Sequence, residues 1–171
     1  MVHGETLTNA KGAYLLLIEL DTTLELRIGT LPPGRYAYCG SAHGPGGIAA
    51  RVGRHLRRDK ALRWHVDHLT GAGRVVAVHA RPGGRECDLF ARVSRGLGVR
   101  VPVPGFGSSD CRHCPAHLVA VPDGFDIVQA FDSPDGLRAE SSSGPAPTHH
   151  GRSPCAATSA ASTSPPTATR P

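Results

Sequence analysis

Long apolar runs are missing from this chain. No stretch reaches the 18 or so consecutive apolar residues that a membrane-spanning helix needs, which excludes that class on length. The beginning, MVHGETLTNAKGAYLLLIEL, lacks the basic opening and the small-residue cleavage site of a secretory leader. Its apolar run leads straight into Glu19 and Asp21, so a cytoplasmic location is expected. In that compartment the five cysteines are expected to be thiols or metal ligands, not disulfides. There is no internal repeat. No G-x-S-x-G elbow is present, so Ser108, Ser109 and Asp110 do not read as part of a hydrolase triad. Cys111 and Cys114 do not follow a βαβ start, which argues against a thioredoxin-like redox centre. Large aliphatic residues run out after Phe131, where Leu137 stands alone among Ser, Thr, Pro, Ala and Gly. Such a segment cannot bury enough apolar surface to offset the entropy of ordering it. A globular body over 11–131, enough for one real core, and a disordered tail over 132–171 are therefore expected.

Acidic residues are also scarce where basic ones gather. Between Ile48 and His68 lie six cations (Arg51, Arg54, Arg57, Arg58, Lys60, Arg63) against two acids (Asp59, Asp67), with His55, His65 and His68 among them. A basic stripe on one element is the footprint of a polyanion, or else a solvated helix face. The formal charge of +5 adds only a moderate bias.

The elements follow from periodicity. YLLLIEL over 14–20 is a short apolar run and reads as a buried strand. LELRI over 24–28 alternates and reads as a half-exposed strand. Leu31-Pro32-Pro33-Gly34 is turn chemistry, and RYAYC over 35–39 a third strand, together a small antiparallel meander. Gly44, Pro45, Gly46 and Gly47 precede a helix over 48–58. There Ile48, Val52 and Leu56 make the core stripe, and Arg51, Arg54, His55 and Arg58 an outward basic face. A short helix over 64–69, a strand over 75–80, a helix over 86–97 and a strand over 117–121 complete the body. In the 86–97 helix Leu89, Phe90, Val93 and Leu97 form the expected buried face. The fold class is α+β, a small antiparallel sheet flanked by helices.

The ordered series Gly12-Ala13-Tyr14, Tyr38-Cys39-Gly40-Ser41-Ala42, Arg51 with His55, and Glu86 resembles the GIY-YIG nuclease superfamily. With RHL, WHVDHL and GFGSSDCRHC it is most similar to the Uri-type endonuclease branch, over roughly Lys11 to Val121. The resemblance implies a metal-dependent endonuclease of DNA in repair, recombination or defence, using Mg²⁺ or Mn²⁺. It implies catalytic roles for Tyr14, Tyr38, Arg51 and His55, and a Mg²⁺-binding role for Glu86. Tyr14 and Tyr38 lie farther apart than the family's compact spacing, so 21–34 must lengthen a hairpin or add a strand. Glu19, Glu25, Asp67 and Asp110 compete with Glu86 for the metal role.

Chemistry supports the same residue types. Hydrolysis of a phosphodiester needs a positioned water, a base for its proton and cations for the phosphoryl charge. Mg²⁺ accepts one or two carboxylates, and an arginine fork matches phosphate. A tyrosine beside a metal and an arginine is expected to ionise more easily. Gly40 and Ser41, with Gly44, Gly46 and Gly47, would let a nucleic-acid backbone approach closely, and Arg54, Arg58 and Arg63 would contact it. Trp64 and His65 read as packing residues, His65 within reach of the site.

Cys111-Arg112-His113-Cys114-Pro115-Ala116-His117 is a separate signal. Cys111, Cys114 and His117, with Cys87 as fourth ligand, suit a soft metal such as zinc, or else form a reduced thiol cluster. The chain therefore has two functional readings: a DNA endonuclease, or a non-catalytic, zinc-stabilised module of the same fold that grips DNA or RNA.

Overall fold

A computed structural model describes residues 3–4 and 7–132. The expected disordered tail lies outside the described residues, save for Asp132 at the end of the last helix. Five strands form one sheet in the order β1 (His3–Gly4), β6 (Arg74–Pro82), β2 (Gly12–Leu20), β5 (Gly34–Ala42), β7 (Leu118–Val121). All pairings are antiparallel except the two-residue β1 against β6.

β2 is central, and its composition follows from that position. Tyr14, Leu16, Ile18 and Leu20 enter one apolar cluster, while Ala13, Leu15 and Leu17 enter another on the opposite face. A strand covered on both faces has no polar side to show, so it reads as a continuous apolar run. α1 (Gly47–Leu56) and α2 (His65–Ala72) cover the first face through Ile48, Val52, Val66 and Leu69. α3 (Glu86–Val93) and α4 (Ile127–Asp132) cover the second through Leu89, Phe90, Val93 and Ile127. Each large aliphatic side chain so buried contributes about 1.5–3 kcal/mol. The α+β class and the small antiparallel sheet flanked by helices are as expected from sequence.

Several details differ. The meander is absent: β5 pairs directly with β2, Gly12 opposite Ala42 through Leu20 opposite Gly34. The intervening segment folds on itself as a separate ribbon of β3 (Leu24–Leu26) and β4 (Gly29–Leu31), a lengthened hairpin. Leu31, read as turn, is fully buried at the end of β4. Leu56 is 39% exposed, because α1 ends there and its core stripe runs Ile48, Val52, His55. His55 therefore faces inward instead of joining the basic face. α3 stops at Val93, ahead of Ser94, Gly96 and Gly98, which leaves Leu97 76% exposed. His117 precedes its strand but ties to the sheet through its carbonyl, which accepts from the Cys39 N–H at 2.9 Å. Among the described residues no helix is long and apolar enough to cross a membrane.

Candidate functional site

Register brings the two tyrosines together. Tyr14 of β2 lies opposite Gly40 of β5, and Tyr38 is two residues from that pair on the same face. The rings stand 6.5 Å apart between centroids. Gly40 is required by this packing, since a Cβ there would come within 2.3 Å of the Tyr14 hydroxyl and ring. Gly47, at φ 56° beneath the carbonyl of Asn9, opens α1 in a conformation that suits glycine. From this start the helix carries Arg51 and His55 one turn apart over the tyrosines.

His55 is 1% exposed and bridges two elements. Its Nε2 lies 2.8 Å from the Tyr14 hydroxyl, and its Nδ1 faces the Asp67 carboxylate at 3.5 Å. An anion at that side favours the proton on Nδ1, leaving Nε2 to accept from the Tyr14 O–H. Burial lowers the His55 pKa to about 4, against the pull of Asp67, so the ring is neutral near pH 7. Asp67 is itself fully buried. Burial would raise its pKa, but Arg54 binds it through both terminal nitrogens, at 2.6 and 3.1 Å. The backbone N–H groups of Arg63 and Trp64 add bonds of 2.8 and 3.0 Å, and together these donors hold Asp67 at about 2. Burial, then the neighbouring Tyr38, pushes Tyr14 well above the usual phenol value, and Arg51 opposes this only in part. Tyr38 is raised too, by burial first and then Cys39. Both tyrosines are therefore neutral phenols near pH 7.

The guanidinium carbons of Arg51 and Arg54 each lie 4.3 Å from the Trp64 ring centre, a cation–π arrangement. Tyr14, Tyr38, Ser41, Arg51, His55, Arg63, Trp64, His65, Ser109 and Asp110 line one cleft of about 360 Å³. Its far wall is the 105–117 loop, anchored by Gly105 N–H to the Pro115 carbonyl (2.7 Å) and His117 N–H to that of Phe106 (2.8 Å). Phe106 is fully buried, edge-on to Tyr38 at 6.3 Å and 5.7 Å from His65. A second hollow of about 410 Å³ adjoins the first through Tyr38, Ser41, Gly107 and Asp110, and is lined also by Gly40, Glu86, Cys87, Cys111 and His117.

The other expected residues are dispersed. Arg54 is occupied by Asp67, and its Nη2 also donates to the Ala61 carbonyl at 2.7 Å. Arg58 lines a separate hollow beside Thr70 and Arg74. Glu19 pairs with Arg74 and with Arg35, outside the cleft's lining, and Glu25 accepts from Thr30 within the ribbon. Glu86 and Asp110 are the carboxylates that line the second hollow. In the sequence Asp67 stands as one of two acids in the basic stretch and as a rival metal ligand. Its place three residues after Trp64, in the first turn of a helix, was the available sign of its capping role.

Cys87, Cys111, Cys114 and His117 do converge, with ligand atoms all within 4.8 Å of one another. Cys87 Sγ is 3.6 Å from Cys111 Sγ and 3.8 Å from His117 Nε2. The N–H groups of His113 and Cys114 point at Cys111 Sγ, at 3.4 and 3.3 Å, and lower its pKa to about 6. Such a Cys₃His set could bind a metal such as zinc.

Fold and site thus define an α+β protein with a Tyr–His–Arg cleft beside a Cys₃His cluster able to hold a metal. The chain belongs to the family described as domain of unknown function DUF123, whose model matches residues 13–134. No curated protein and no solved structure matches the chain significantly.

Proposed function

We propose that this protein is a GIY-YIG-type endonuclease of the Uri branch that hydrolyses DNA phosphodiester bonds with Mg²⁺ or Mn²⁺. The observation that carries this reading is the convergence of Tyr14, Tyr38, Arg51 and His55 on one cleft, with the Tyr14 hydroxyl hydrogen-bonded to neutral His55. In this mechanism an attacking water gives its proton to the Tyr14 oxygen as Tyr14 passes its own to His55 Nε2. The imidazolium so formed faces Asp67, whose charge stabilises it. Arg51, stacked on Trp64, directs its fork at the phosphoryl oxygens, and Tyr38 narrows the cleft around the water. Glu86, with Asp110 across the same hollow, offers the hard oxygen donors that Mg²⁺ accepts. When bound, that ion supplies charge stabilisation to the phosphoryl group. Ser41 and Arg63 line the cleft where the flanking backbone would run.

The test is cleavage of labelled single-stranded, duplex, flap and branched DNAs with Mg²⁺, with Mn²⁺ and with neither. Arg51→Ala is expected to lose at least about a hundredfold in rate. Metal-independent products, or wild-type rates in the variant, would defeat the reading. Salt-sensitive binding without any cleavage would favour the non-catalytic binding module instead.

A further inference from the structure

We infer that Cys87, Cys111, Cys114 and His117 hold one zinc ion, and that this ion is the strut that builds the far wall of the cleft. The metal site stands on its own geometry; the hydrolytic role of the wall rests on the function proposed above.

Tetrahedral zinc with arms of about 2.3 Å to sulfur and 2.0 Å to nitrogen has edges of about 3.5–3.8 Å. The Cys87–Cys111 and Cys87–His117 separations, 3.6 and 3.8 Å, match that edge. A disulfide would bring two sulfurs to about 2.05 Å, so the cluster is not arranged for one. Three sulfurs and an imidazole select zinc over Mg²⁺ or Ca²⁺, which prefer oxygen. The paired N–H donors on Cys111 Sγ stabilise a thiolate, the form that ligates metal. Four protein donors complete the shell, so the ion has no open position for a substrate water.

The location of the ligands gives the ion its task. Cys87 lies in the first turn of α3, Cys111 and Cys114 on the cleft loop, and His117 just before β7. Among the described residues, the hydrogen bonds of 107–114 run within 105–114 or through Cys87. No backbone ladder fixes this stretch to the sheet, so the metal is what ties it down. The stretch matters to the cleft at two points. A Cβ at Gly107 would come within 2.8 Å of the Tyr38 ring, so the loop lies directly against that tyrosine. Asp110, next to Cys111, lines both hollows, and Glu86, next to Cys87, lines the second. One zinc ion therefore sets the position of Asp110 against Glu86, the two carboxylates offered to Mg²⁺.

The full-length protein would be assayed for metal content, then stripped with a mercurial and a chelator, freed of mercury with excess thiol, and refilled with zinc or Co²⁺. One zinc per chain and a tetrahedral thiolate–cobalt spectrum are expected. Hydrogen exchange in 105–117 should accelerate by at least about tenfold on stripping, while β2 and α1 keep their protection. Cys111→Ser should lose the metal, and His117→Cys, which keeps a soft donor, should retain it and guard against a mere folding defect. Absence of zinc after refilling, or equal protection of 105–117 with and without metal, would overturn the inference. Wild-type Mg²⁺-dependent cleavage by the stripped protein would overturn the strut. No cleavage in any state, with zinc content and loop protection as expected, would leave the strut standing and sink only the nuclease reading.

Discussion

His55 lies between a phenol and a carboxylate, and burial makes its charge expensive in the folded state. Its folded pKa of about 4 is below the ordinary 6.5, so between these values the unfolded chain takes up a proton that the folded one refuses. Stability should therefore fall as pH drops from 6.5 towards 4, by roughly 3 kcal/mol at most from this group. Asp67 has the same sign in a lower window: its contribution is complete above 3.8 and is lost as pH falls towards 2. Urea unfolding at intervals from pH 7 to 4.5 measures the first effect. A midpoint that does not move over that range would mean that His55 is not held neutral. Tyr14, Tyr38, Arg51 and His55 were singled out in the sequence through the family resemblance; helical spacing by itself adds only that Arg51 and His55 lie one turn apart. The partner of His55 was not legible, because Asp67 reaches Arg54 and His55 only when α2 closes on α1.

At the scale of elements, α1 shows what periodicity reads and where it slips. Ile48 and Val52 are core residues as the four-residue repeat requires, but the next inward place falls three residues on, at His55. A stripe of apolar letters points to Leu56 because histidine does not count as apolar, although a buried, hydrogen-bonded imidazole fills that place. Leu56→Gln is accordingly expected to change stability by less than about 0.5 kcal/mol, whereas Val52→Ala should cost about 1–3 kcal/mol. Thermal or urea unfolding of the two variants separates these values, and equal losses would restore Leu56 to the core. The ribbon of β3 and β4 was hidden for another reason. Alternation in 24–28 marks a strand but not its partner, and here the partner is the next few residues instead of β2.

Over the whole molecule, the count of cations overstates the charge offered to a polyanion. Arg54 is paired with Asp67, and Lys60 donates to the carbonyls of His55 and Arg57 at the end of α1. Arg51, Arg57, Arg58 and Arg63 remain of the six. For duplex DNA the logarithm of affinity should fall against the logarithm of salt with a slope of about −3 to −4, not the roughly −5 that all six would give. A fluorescence titration at several salt concentrations reads this slope directly, and a value near −5 would mean that the pairs open on binding. The overall class was legible because strand-length apolar runs alternate with amphipathic helices, and the four cluster residues from the Cys and His spacing; that their loop forms a wall of the cleft was not, since Gly107 meets Tyr38 only in the folded chain. The chain order of the sheet also has a consequence during synthesis, which delivers the N-terminal end first. β2, β5 and β6 have all emerged by Pro82, and α1 with them, so the Tyr14–His55 side of the cleft can be assembled early. The loop against Tyr38 and three of the four cluster ligands come only with residues 105–117. A ribosome-bound chain that stops short of them carries the basic helix and the tyrosines but has no closed cleft; under the function proposed above, the nascent protein would meet nucleic acid before it is equipped to cut it.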